Sequence, residues 1–135
     1  METTGRLLQV LYTSRAAEGV AASESFSIVA TSERENARQS ITGFLLEHDG
    51  RFLQFLEGPP LGVEALMARI ERDPRHSHVD IRFRAGDEKR CFPDWSMKRL
   101  LSFSSRPALE ELREVLSDRP CGPAILEAVT KFIGD

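Results

Sequence analysis

Two short apolar runs separated by an Asp-Gly turn constrain this chain more than any other feature. Residues 41–47 and 51–57 both read as strands, and His48-Asp49-Gly50 joins them. Asp-Gly between apolar runs is a strong hairpin signal, because the turn it favours matches the twist of the flanking strands. Around this hairpin the chain alternates strand-like and helix-like patterns. Residues 6–13 read as a first strand, with Leu8, Val10 and Tyr12 on one face and Leu7, Gln9 and Leu11 on the other. Residues 14–22 read as a loop. Ser23 or Ser25 then caps a helix running to about Asn36, with Phe26, Val29 and Ala30 on its inner stripe.

After the hairpin, Gly58-Pro59-Pro60 closes a strand and opens a helix, since proline is tolerated in a first helical turn. Val63, Leu66, Met67 and Ile70 follow at helical spacing, and Asp73-Pro74 ends the run. Residues 79–84 read as a fourth strand. Residues 95–101 read as a fifth, after a polar connection that holds Phe92-Pro93-Asp94. The order is βαββαβ with an added strand, which predicts an α+β, ferredoxin-like sheet with two helices on one face. Two further helices follow. Ser105-Arg106-Pro107 starts the first, with Leu109, Leu112 and Leu116 inward, and Pro120-Cys121-Gly122-Pro123 breaks it. Ile125, Leu126, Val129, Phe132 and Ile133 mark the second. This division predicts a core domain over 1–102 and a helical extension over 103–135. The extension needs an apolar surface, either the open face of the sheet or a second copy of the chain.

Composition narrows the function classes. The 135 residues suit one domain that folds without disulfide or metal. The net charge of -3 and a pI near 5.7 give a nucleic-acid partner no electrostatic support. No apolar run approaches the roughly 20 residues of a membrane span, and the polar start Met1-Glu2-Thr3-Thr4-Gly5-Arg6 lacks the order of a signal peptide. Cys91 and Cys121 form no Cys-x-x-Cys pair or ligand cluster, so the expectation is a reduced, cytoplasmic protein in which Cys91 is inert. His76 and His78 lack companions at metal-ligand spacing. No phosphate loop, nucleophile elbow or paired carboxylate is present, so no enzymatic activity is expected.

Candidate site residues emerge where polar groups interrupt apolar faces. Gln54 lies in Phe52-Leu53-Gln54-Phe55-Leu56 and shares a face with Phe52 and Leu56. Burying a primary amide there is costly unless it is hydrogen-bonded. Tyr12, the single tyrosine, shares a face with Leu8 and Val10, and its hydroxyl needs a partner if buried. In a βαββαβ sheet the first and third strands are central neighbours, so the two side chains can meet. An amide and a phenol together both donate and accept, which suits a heteroaromatic ligand. The structural alternative is Gln54 on a backbone edge and Tyr12 with its hydroxyl at the rim. Asn36 reads either as a helix cap or as an amide facing a planar ligand. Arg69 and Arg75 bracket the end of the second helix, as surface charge or as ligand contacts. Trp95 and Met97 share a strand face and read alone as core packing.

These residues together resemble the BLUF domain, the flavin-based blue-light sensor. The matching pieces are Leu11-Tyr12-Thr13-Ser14-Arg15-Ala16, Asn36 with Ile41-Thr42-Gly43, and Phe52-Leu53-Gln54-Phe55-Leu56-Glu57-Gly58. Asp73-Pro74-Arg75-His76 and Phe92-Pro93-Asp94-Trp95-Ser96-Met97 complete the set, which spans about residues 6–102. The resemblance implies that Tyr12 gives an electron and a proton to excited flavin and that Gln54 lies between that tyrosine and the ring. It implies that Asn36 holds the carbonyl edge of the ring, that Arg75 contacts its pyrimidine end, and that Ile28 and Ile70 sandwich it. Trp95 and Met97 would relay the signal. The implied cofactor is FAD, with FMN possible. The implied partners are flavin, a downstream protein and a second copy of the chain, with no nucleic acid and no membrane. Two positions depart from the pattern: Glu35 stands where asparagine is frequent, and Lys98 where a small or uncharged residue is frequent.

Two other classes fit the same strand order. One is a ferredoxin-like small-molecule-binding or acyl-phosphatase-like domain, but 14–22 holds one glycine and makes a poor phosphate cradle. The other is an RNA-binding sheet, but Phe52 and Phe55 fall on opposite faces and the net charge is negative.

Overall fold

The computed structural model of the chain describes residues 6–16, 40–48, 50–74, 76–87, 89–92, 98–101, 106–117, 119 and 121–134. The expected first helix, with Phe26, Ile28, Val29, Ala30, Glu35 and Asn36, lies outside these residues, as do Arg75, Trp95 and Met97.

The strands are β1 (Leu7–Ala16), β2 (Thr42–His48), β3 (Arg51–Gly58), β4 (His76–Asp87) and β5 (Lys98–Leu101). They form one sheet in the order β4-β1-β3-β2-β5. The first four pair antiparallel, and β5 lies parallel to β2 with Lys98 opposite Phe44. The Asp-Gly hairpin forms as its residues dictate: His48 faces Arg51, and Gly50 takes a φ of +74°.

Two strands run longer than the apolar pattern indicates. The residues from Ser14 onward, expected in a loop, continue β1, because Ser14 pairs with Phe52 and Arg15 with Arg51. β4 extends on both sides of 79–84 because it pairs along the whole of β1. The register of that pair shifts twice, between Leu11 and Tyr12 and between Thr13 and Arg15, and His78 takes a φ of +57°. Such bulges bend an outer strand and strengthen its twist.

The helix α1 (Pro60–Arg72) starts at its proline pair. The Val63 N–H donates to the Pro59 carbonyl at 3.0 Å, and the Asp73 N–H closes the helix on the Ile70 carbonyl at 3.1 Å. The chain then ends in α2 (Arg106–Leu116) and α3 (Gly122–Gly134).

Each sheet face carries its own core. On one face Val10, Tyr12, Ile41, Leu45, Phe52 and Leu56 pack with Val63 and Met67 of α1. On the other, Leu11, Phe44, Leu46, Leu53 and Phe55 pack with Leu112 and Leu116 of α2 and with Ile125, Val129 and Phe132 of α3. Burying each such side chain contributes about 1.5–3 kcal/mol. Phe92 fills the centre of this second core, edge-on to Phe44 at 5.2 Å and to Phe55 at 5.4 Å. Gly43 is required where β2 crosses β3. Its φ is +150°, and a Cβ there would strike the Phe55 carbonyl oxygen. Among the described residues no helix is long and apolar enough to cross a membrane.

Candidate functional site

The central strand pair positions the site. Tyr12 on β1 stands directly opposite Gln54 on β3, and the Tyr12 hydroxyl donates to the Gln54 amide oxygen. Both are buried, at 3% and 5% exposure, so the hydroxyl meets the amide inside the core rather than at its rim. Pairing them removes most of the cost of placing an amide and a phenol among apolar neighbours. Val10, Leu45, Phe52, Leu56, Val63 and Met67 form one core with Tyr12, and the half-buried Ile70 and Leu66 of α1 pack against it.

Burial pushes the Tyr12 hydroxyl well above its ordinary pKa of 10.0, and the negative charge of Asp73 acts in the same direction. The phenol therefore keeps its proton at neutral pH, and that proton points at Gln54. With its carbonyl accepting from Tyr12, the Gln54 amide has its NH2 group as its donor. A donor NH2 beside a phenol, framed by branched aliphatic side chains, suits a planar heteroaromatic ring that carries carbonyl and ring-nitrogen acceptors on one edge. The donor set of the described residues thus fits a flavin.

Of the residues singled out in the sequence, Tyr12, Gln54 and Ile70 come together here. Asn36, Arg75, Ile28, Trp95 and Met97 lie outside the described residues. Lys98 begins β5. Among the described residues no group of three His, Cys, Asp or Glu side chains is placed to hold a metal.

Sequence reasoning passed over Glu57. It is fully buried, yet its carboxylate accepts four hydrogen bonds. Gln9 Nε2 and the Cys91 N–H donate to Oε1 at 3.2 and 2.8 Å, and the Phe92 N–H and Thr42 Oγ1 donate to Oε2 at 2.6 and 3.2 Å. Arg90 reinforces the same corner, donating to the Thr42 hydroxyl at 2.9 Å and to the Ser40 carbonyl at 2.7 Å. The signal was available in the sequence: Glu57 follows Leu53 and Phe55 on one face of an apolar strand, and Gln9 sits between Leu7 and Leu11. Nothing in the sequence brings Cys91 and Cys121 together, but the fold places them side by side. Thirty residues of chain separate the two, so spacing held no cue.

The model of the family described as sensors of blue-light using FAD matches residues 7–98. The chain belongs to the BLUF family. This BLUF domain is therefore a flavin-based blue-light sensor module. It is 39% identical over 92 residues to the photoactivated adenylate cyclase subunit beta of Euglena gracilis, covering 67% of this chain and 11% of that protein. It thus spans about a tenth of the length of that relative. The solved BLUF structure of BlrP1 superposes with a TM-score of 0.84 at 27% identity, covering 100% of this chain and 93% of that one. Klebsiella pneumoniae BlrP1 with FMN and cyclic diGMP superposes with a TM-score of 0.81 at 29% identity, over 96% of this chain and 35% of that one.

Proposed function

We propose that Tyr12 and Gln54 form the light-driven switch of this BLUF domain, with FAD as the resident flavin. The observation that carries this reading is the buried hydrogen bond from the Tyr12 hydroxyl to the Gln54 amide oxygen. Flavin, when bound, supplies a ring that absorbs blue light and becomes a strong oxidant. Tyr12 is the oxidisable side chain beside it, and burial keeps the Tyr12 proton in place until an electron leaves. That proton passes through Gln54. With flavin bound, electron and proton would return to Tyr12 and leave the Gln54 amide reorganised, with a changed hydrogen bond to the ring. The two states differ by hydrogen bonds worth about 1 kcal/mol each, so the lit state relaxes unaided.

Ile28 and Ile70 sandwich the ring in this reading, Asn36 and Arg75 hold its polar edge, and Trp95 and Met97 pass the change onward. Residues 1–102 are the sensor and 103–135 the helical extension. The domain works in the cytoplasm as a homo-oligomer, a dimer at least, and passes its signal to a protein partner. It performs no catalysis of its own.

The test is an absorption spectrum of the purified protein in the dark and after blue light. The expected result is a flavin spectrum that shifts slightly to the red and recovers in the dark. A flavin spectrum that does not shift overturns the switch. A protein that takes up no flavin even when FAD is added overturns the binding site as well.

A further inference from the structure

Cys91 and Cys121 meet on the sheet face opposite Tyr12 and Gln54. Their Cα atoms lie 6.5 Å apart, within the span a disulfide bridges, and the fold sets the two side chains against each other. The two environments differ. Cys91 is 2% exposed, and its N–H donates to Glu57. Its carbonyl accepts from the Arg119 guanidinium. Cys121 is partly exposed and immediately precedes α3, where its carbonyl accepts from the Ile125 N–H at 3.2 Å. Cys121 is therefore the more accessible of the two sulfurs, and it sits at the N-cap of the 13-residue α3.

We infer that Cys91 and Cys121 form a reversible thiol–disulfide site that reacts with low-molecular-weight disulfides. The Cys121 thiolate attacks one sulfur of the external disulfide, expelling one small thiolate and leaving a mixed disulfide on Cys121. Cys91 gives up its proton to solvent and attacks the Cys121 sulfur. The intramolecular bond forms, and the second small thiolate leaves. Two cysteine thiols are thereby oxidised by two electrons, and one external disulfide is reduced to two thiols. A dithiol runs the exchange in reverse. Disulfides in reducing compartments are usually transient and redox-sensing, which is the use proposed for this one.

The bond acts as a clamp. Glu57 already ties the Cys91 and Phe92 amides to β3. Oxidation adds a covalent tie from Cys91 to Cys121, at the start of α3. The connection leading toward β5 is then fastened to both β3 and the C-terminal helix, and oxidation suppresses their separation. This inference does not depend on the flavin switch, since neither its chemistry nor its readout involves Tyr12 or Gln54.

The test uses the full chain, treated with oxidised glutathione or with dithiothreitol. Thiols are alkylated after unfolding and counted by mass, and amide hydrogen exchange is followed over 89–92 and 121–125. The expected result is that oxidised protein takes no alkyl label and no glutathione, while reduced protein takes two labels. Exchange at Cys91 and Phe92 slows by about tenfold or more on oxidation, because the crosslink restricts opening. Cys121→Ser is expected to exchange at one rate under both treatments. Glutathione adducts or labels on both cysteines after oxidation would falsify the site. A bond that forms without slowing exchange overturns the clamp.

Discussion

Gln54 and Glu57 lie three residues apart on β3 and face opposite sides of the sheet. Gln54 receives the Tyr12 hydroxyl in one core, and Glu57 holds the Cys91 and Phe92 amides in the other. Successive strand residues point to alternate faces, so an odd separation divides these two polar groups between the two cores. A step of three residues along β3 therefore separates the Tyr12–Gln54 hydrogen bond on one face from the Glu57 network that holds the Cys91 and Phe92 amides on the other.

Tyr12→Phe is expected to abolish the light-induced red shift while flavin stays bound. The substitution also leaves the Gln54 carbonyl without its hydroxyl donor, at a cost of about 1–3 kcal/mol. Difference spectra before and after blue light check the first effect, and urea unfolding the second. A normal red shift in Tyr12→Phe contradicts the proposed switch.

Alkaline titration reports on the same residue, because the chain has a single tyrosine. Burial and Asp73 raise the Tyr12 pKa above 10.0 in the folded state. The neutral phenol therefore contributes stability that is fully present below pH 10 and is lost as pH rises through the folded value. Spectrophotometric titration is expected to show ionisation well above pH 10 in native protein and near pH 10 in urea. Coincident midpoints in the two conditions would show that Tyr12 is solvated.

Glu57→Gln keeps the shape of the side chain but replaces one acceptor oxygen with a donor. The Cys91 and Phe92 amides each use a different carboxylate oxygen, so one of them must lose its acceptor. The expected loss is about 2–4 kcal/mol in the midpoint-derived stability, with an unchanged denaturant slope. A loss below about 0.5 kcal/mol would mean that water serves these amides instead.

Gly43→Ala combines an unfavourable φ with a clash against the backbone of β3 at the Phe55 carbonyl. Neither can relax by rotating a side chain. The expected cost is about 3 kcal/mol or more, read as a fall in soluble yield and in melting temperature.

Phe132→Ala tests whether α3 unfolds with the sheet. Phe132 is nearly buried, its carbonyl accepts from Arg51 at 2.9 Å, and the Arg51 guanidinium lies 4.7 Å from its ring centre. Truncation is expected to cost about 3–5 kcal/mol in one cooperative transition. Two separated transitions would show that residues 103–135 fold as an independent unit.

Much of the architecture was legible because local chemistry dictated it. The Asp-Gly turn set the β2–β3 hairpin. The Pro59-Pro60 pair set the start of α1, and helical spacing of Val63 and Met67 chose its buried side. The lengths of β1 and β4 were not legible. Ser14 and Arg15 are polar, and only pairing with β3 and β4 keeps them in a strand.

The sequence by itself determined which faces are apolar, where the chain turns, and that Tyr12 and Gln54 interrupt an apolar face on neighbouring strands. Tertiary structure alone decided the partners of the buried polar groups. Glu57 takes its four donors from β1, β2 and the chain after β4, and Cys91 meets a residue 30 positions away. Apolar patterning records only which side of an element is dry. The partner of a buried carboxylate or thiol depends on how distant segments close on one another, because an unpaired polar group in that interior would cost more than the packing around it returns.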